Sequence, residues 1–123
     1  MPLERHTVSV TTNSSGAGSA TLSHITGIVR RLQYVKTDFA DGVDFDVVAD
    51  LFGDLWNEDD VNASAIRTPK TPTHATDGSA SLYAGSGEPV ETDIYLVDET
   101  ITFTIADGGS TKTGTFHVIV ETP

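Results

Sequence analysis

Ile101-Thr102-Phe103-Thr104-Ile105-Ala106-Asp107-Gly108-Gly109-Ser110-Thr111-Lys112-Thr113-Gly114-Thr115-Phe116-His117-Val118-Ile119-Val120 carries the clearest structural signal in the chain. Ile101, Phe103 and Ile105 alternate with threonines, Asp107 to Lys112 is rich in turn formers, and Phe116, Val118 and Val120 then alternate with Thr115, His117 and Ile119. A period of two on both sides of a Gly-rich turn is the pattern of half-buried strands, and its simplest reading is a hairpin with Phe103 and Phe116 facing each other inside. Upstream, Tyr95 and Val97 fall on one face and Ile94 and Leu96 on the other.

The rest of the chain extends this pattern. Thr, Val and Ile account for 37 of 123 residues, and β-branched side chains fit a pleated, half-buried surface. Thr7 to Thr12 reads as a first strand, Asn13 to Gly18 as a turn, and Ala20 to Lys36 as a long return broken at Gly27. Asn13-Ser14-Ser15-Gly16, Asp41-Gly42, Asp77-Gly78 and Gly85-Ser86-Gly87 add turn signals. Val43 to Trp56 is ambiguous: Val43, Phe45 and Val47 alternate as a strand, whereas Val47, Val48, Leu51, Phe52, Leu55 and Trp56 also fall at helical spacing. Asn57 to Ser79 is polar and contains Pro69 and Pro72, which predicts a long surface loop. The expectation is a single all-β domain spanning 1–123, a β-sandwich (jelly-roll-like) or a barrel.

Composition narrows function. Eighteen acidic residues against seven basic give a net charge of −11, which repels phosphate backbones and argues against nucleic acid as a partner. Twelve Asp and three Lys suit a protein of concentrated salt and equally an ordinary acidic protein. The chain has no cysteine, which excludes disulfides, thiolate metal sites and Cys nucleophiles. No segment has the length of a membrane-spanning helix and Met1 to His6 has no apolar leader run, so a soluble protein made in the cytoplasm is expected.

No residue set nominates itself for catalysis, and no cofactor is expected. The four histidines lack close ligand spacing, no Gly-x-Ser-x-Gly elbow occurs, and Gly85-Ser86-Gly87-Glu88 lacks the Lys-Ser/Thr ending of a phosphate loop. The acids of Asp38 to Asp46 surround Gly42 but lack the spacing and terminal Glu of a calcium loop, so no metal site is assigned. Three residues stand as candidate interface positions. Trp56, beside Asn57-Glu58-Asp59-Asp60, reads first as core and second as an aromatic anchor rimmed by charge. Arg67 and Lys70, in the polar excursion, would suit an acidic partner surface.

Tyr34 to Phe45, Leu55-Trp56, Val61 to Ala65, Pro72 to Thr76, Ser81 to Ala84 and Gly109 to Val118 together resemble, in order, a pattern in small structural proteins from the head-gene region of tailed phages. The resemblance covers most of the chain and carries no catalytic signature. It implies a β-sandwich cement or decoration protein, or a turret-type subunit, a virion component bound to the capsid exterior through the major capsid protein or other virion proteins and forming a homo-oligomer on the particle. It also implies strand, then loop, for Val43 to Trp56. The greater Asp content here points toward a salt-loving host. The alternatives are a head–tail connector or tail protein and, in another class, a carbohydrate- or ion-binding β-sandwich module.

Overall fold

The computed structural model describes residues 2–85 and 87–123; Met1 and Ser86 lie outside them, and with Ser86 the middle of the turn expected at Gly85-Ser86-Gly87. Nine strands and no helix occur among the described residues: β1 (Leu3–Thr11), β2 (Gly18–Val35), β3 (Val43–Ala49), β4 (Gly53–Val61), β5 (Ala65–Arg67), β6 (Thr71–Pro72), β7 (Glu91–Thr92), β8 (Ile94–Ala106) and β9 (Thr113–Glu121). The chain is all-β, as its alternation predicts. The main sheet runs β1-β9-β2-β8-β3-β4 with β5 alongside β2, and every pairing is antiparallel. It does not close, so the barrel alternative falls.

β2 organises the sheet. Its first part, Gly18 to Val29, pairs with β8, and its second, Ile28 to Val35, pairs with β9. At the changeover Gly27 takes φ +140°, and a Cβ there would lie 2.6 Å from the Glu121 carbonyl oxygen. Only glycine lets three backbones approach this closely at that φ.

Ring distances show that the sheet folds over on itself. β9 and β3 are three strand spacings apart, which on a flat sheet is about 14 Å. The Phe116 and Phe45 rings nevertheless sit 5.1 Å apart, edge to face. Tyr34 touches Phe39, Phe45 and Phe116, and Trp56 packs edge-on against Phe45 at 4.6 Å. These rings form the middle of one contiguous apolar core. Gly114 makes room for it, since a Cβ there would lie 2.3 Å from a ring carbon of Phe39.

Two expected hairpins are something else. Phe103 and Phe116 are both buried, with rings 5.2 Å apart. Yet β8 and β9 do not pair; β2 lies between them, and β9 lies between β1 and β2. Each connection therefore arches across the core. The arches stack: Gly108 N–H donates to the Gly16 carbonyl (2.9 Å), Thr111 N–H to Asn13 (3.0 Å), and Ala40 N–H to Gly108 (2.9 Å). Alternation is the same whether a turn returns within a sheet or crosses to another part of it, so the pattern could not distinguish them.

Val43 to Trp56 is strand, turn and strand. Only Asp50 to Phe52 lies outside β3 and β4, and Ala49 pairs with Gly53. The helical spacing arose because a three-residue connection, with register shifts in the hairpin, offsets two period-two segments. The excursion from Asn57 to Ser79 is likewise more ordered than a loop. It holds the end of β4, β5 against β2, and β6 against β7.

Candidate functional site

Trp56 is buried in the core, and its indole N–H donates to Glu58 Oε1 at 2.9 Å. Arg67 reaches the same carboxylate through Nε (2.9 Å) and Nη2 (2.8 Å), with its guanidinium 5.6 Å from the Trp56 ring centre. The hydrogen bond from Arg67, helped by that from Trp56, holds the Glu58 carboxyl below its usual range. Two-pronged arginine–carboxylate pairing fixes orientation as well as charge. Here it ties β5 to β4. Lys70 is ion-paired with Asp93, which also takes Arg30 Nη1 at 3.0 Å. Lys70, and then Arg30, hold the Asp93 carboxyl low. The structure thus brings Trp56 and Arg67 together, sets Lys70 apart from them, and gives both cations partners within the chain.

The acids of Asp38 to Asp46 are similarly engaged. Asp38 Oδ1 accepts the Thr113 N–H (2.6 Å), Asp41 pairs with Lys36, and Asp44 Oδ1 accepts the Asp60 N–H (2.9 Å). Among the described residues no three His, Asp or Glu side chains are grouped so as to hold a metal ion.

Two carboxyl pairs form across the outer side of the sheet where β3, β4 and β8 meet. Burial, then a shared hydrogen bond with Asp54 and its charge, push Asp46 up to about 6. Asp46 Oδ1 is buried without a hydrogen-bond partner among the described residues, which favours the protonated carboxyl. Asp107 is raised by sharing with Asp44, and further by the charge of Asp59. The sequence displayed these acids but not their pairing, which register alone supplies.

The most prominent surface was not among the sequence candidates. Leu3, Glu121, Ile28 and Tyr95 align across β1, β9, β2 and β8, all on the outer side of the sheet. Arg5, Ile119 and Arg31 form the next row. Leu3 is 63%, Tyr95 62% and Val97 71% exposed. Two grooves border Glu121: one of about 370 Å³ lined by Leu3, Arg30, Arg31 and Ile119, the other of about 250 Å³ walled by Ile28, Tyr95, Val97 and Pro123. One signal for it was present in the sequence: Ile94 to Val97 is apolar on both faces, where a half-buried strand would be polar on one.

Compared with family models, curated proteins and solved structures, the chain matches none.

Proposed function

We propose that this chain is a structural protein of a tailed-virus particle, a β-sandwich of jelly-roll kind that attaches to the capsid exterior and stabilises the shell by protein–protein contact. The observation that carries the reading is where the resembling segments fall. Tyr34, Phe39, Phe45, Trp56 and Phe116 all lie within them, five of the six aromatic rings of the core; Phe103 is the sixth. The resembling segments thus carry most of the aromatic core. The exposed apolar surface around Tyr95 and Val97 supports a contact role in general, whether with another protein or with another copy of the chain. Function here is contact rather than chemistry, with the major capsid protein as the partner and several copies on each virion.

The carbohydrate-binding alternative loses its main residue. The Trp56 ring is buried and its N–H is engaged by Glu58, which leaves no aromatic platform for a sugar at that position.

The test is reconstruction and protein quantification of the particle produced from the genome that encodes this chain. Copies arrayed over the whole shell are the expected result. A handful of copies at one vertex would move the protein to the head–tail junction or tail, and absence from purified particles would overturn the reading.

A further inference from the structure

The surface around Tyr95 and Val97 extends to the β3–β4 turn. The buried Glu99, two residues past Val97, accepts the N–H groups of Leu51 (3.0 Å) and Phe52 (2.9 Å) through one oxygen. Asp50 N–H donates to the Thr100 carbonyl at 3.0 Å. The turn is therefore held by both its own hairpin and β8. It presents Leu51, 84% exposed, and Phe52, 37% exposed, between Asp50 and Asp54, both also exposed. Among the described residues, five of the eight large exposed apolar side chains, namely Leu3, Leu51, Phe52, Tyr95 and Val97, thus belong to one end of the molecule.

The cations of the chain fall into two sets. Arg30, Lys36, Arg67 and Lys70 are each ion-paired with the chain's own carboxylates. Arg5 and Arg31, and at the arch end Lys112, have no such partner among the described residues, although the chain has 18 acids. The two arginines flank Ile119 in a single row beside the larger groove. The end therefore carries an apolar knob between two aspartates, and a groove in which Leu3 and Ile119 lie among Arg30, Arg31 and Glu121, with Arg5 alongside.

We infer that this end is an interface between copies of the chain, in which the Asp50 to Asp54 turn of one copy enters the groove of another. Leu51 sits between Leu3 and Ile119 there, and Asp50 and Asp54 meet Arg5 and Arg31. The inference does not depend on what the chain attaches to. Knob and groove lie at the same end, so a two-fold pair makes the contact twice, which is the usual self-complementary form of a dimer. Aromatic and arginine side chains around an apolar centre are the composition of binding hot spots. The net charge of −11 opposes association in dilute buffer, and screening weakens that long-range repulsion as the Debye length falls to about 3 Å at 1 M salt.

Sedimentation equilibrium of the full chain in dilute and in molar salt tests this. The wild type is expected to dimerise reversibly, more tightly in molar salt. Leu51→Asp and the double variant Arg5→Glu, Arg31→Glu are each expected to weaken dimerisation by at least about tenfold. Tyr83→Ser, which removes an exposed ring from another part of the surface, is expected to leave it unchanged. Circular dichroism and melting of each variant establish that the fold is intact; all four positions are exposed. A wild type that stays monomeric to near-millimolar concentration in both salts overturns the inference. So does a dimer indifferent to Leu51→Asp and the arginine reversal, or one lost through Tyr83→Ser.

Discussion

The two ends of β8 are built in opposite ways. At the Ala106 end the β1–β2 and β8–β9 arches lie against each other and use their polar groups on one another. Thr12 is buried there, its hydroxyl donating to the Gly109 carbonyl (2.6 Å) and accepting the Lys112 N–H (2.8 Å). Asn13 Oδ1 holds the N–H groups of Ser15 (2.9 Å) and Ala17 (3.1 Å). At the Ile94 end the backbone is equally well held, through Glu99, yet the side chains that emerge are Leu51, Tyr95 and Val97. The first end closes the fold on itself. The second is rigid and apolar, which favours binding because little side-chain and loop freedom is lost on contact.

The largest effect separating the ends concerns stability. Phe116 packs on Tyr34, Phe45 and Phe103 at the root of the β9 arch. Phe116→Ala is expected to cost about 3–5 kcal/mol, measured as a fall in the urea or thermal midpoint. An unchanged midpoint would mean that the rings do not meet as described. Next is Thr12→Val, which keeps shape but removes the hydroxyl. Leaving the Lys112 N–H and Gly109 carbonyl without their partner is expected to cost about 1–3 kcal/mol by the same measurement.

A smaller effect belongs to the open end, where Asp54 follows the turn. Asp46 rises from an ordinary 3.8 to about 6 in the folded chain. The folded state therefore binds this proton more strongly than the unfolded chain does. The resulting stability is fully present below the unfolded value and is lost as pH rises through about 6. The midpoint should fall between pH 4 and pH 7, by an amount on the order of 1 kcal/mol once solvent screening is allowed for. Asp46→Asn should flatten that dependence, and a profile identical to wild type would deny that Asp46 is the group responsible. Smallest of all is the effect of Leu51→Asp on folding. An exposed turn residue away from the core is expected to change stability by no more than about 0.5 kcal/mol, even as it removes the contact surface. A large loss of stability would place Leu51 in the fold rather than at an interface.

Much of the fold was legible in the sequence, and the parts that were not share one cause. Alternation located β1, β2, β8 and β9, and put Phe103 and Phe116 inside. It could not say that β2 lies between β8 and β9, because strand order depends on where a turn leads and not on the period within a strand. Gly27 announced a break in β2 without revealing that two different strands meet it there. Arg67 and Lys70 were conspicuous as scarce cations in a polar stretch. Their partners Glu58 and Asp93 lie 9 and 23 positions away, so the sequence offered no means of pairing them. Arg5 and Arg31 looked unremarkable for the same reason: Ile119 unites them only through the β1–β9 and β9–β2 registers.

The contrast between the ends can be tested with cysteine pairs, since the chain has no cysteine of its own. Single variants Leu51→Cys and Leu3→Cys would be mixed in equal amounts under molar salt and mild oxidation, with Ser110→Cys at the exposed arch end as the control. The account predicts rapid disulfide formation between Leu51→Cys and Leu3→Cys, and none above the collisional background when Ser110→Cys replaces either partner. Equal cross-linking in all mixtures, or none between Leu51→Cys and Leu3→Cys, would contradict it.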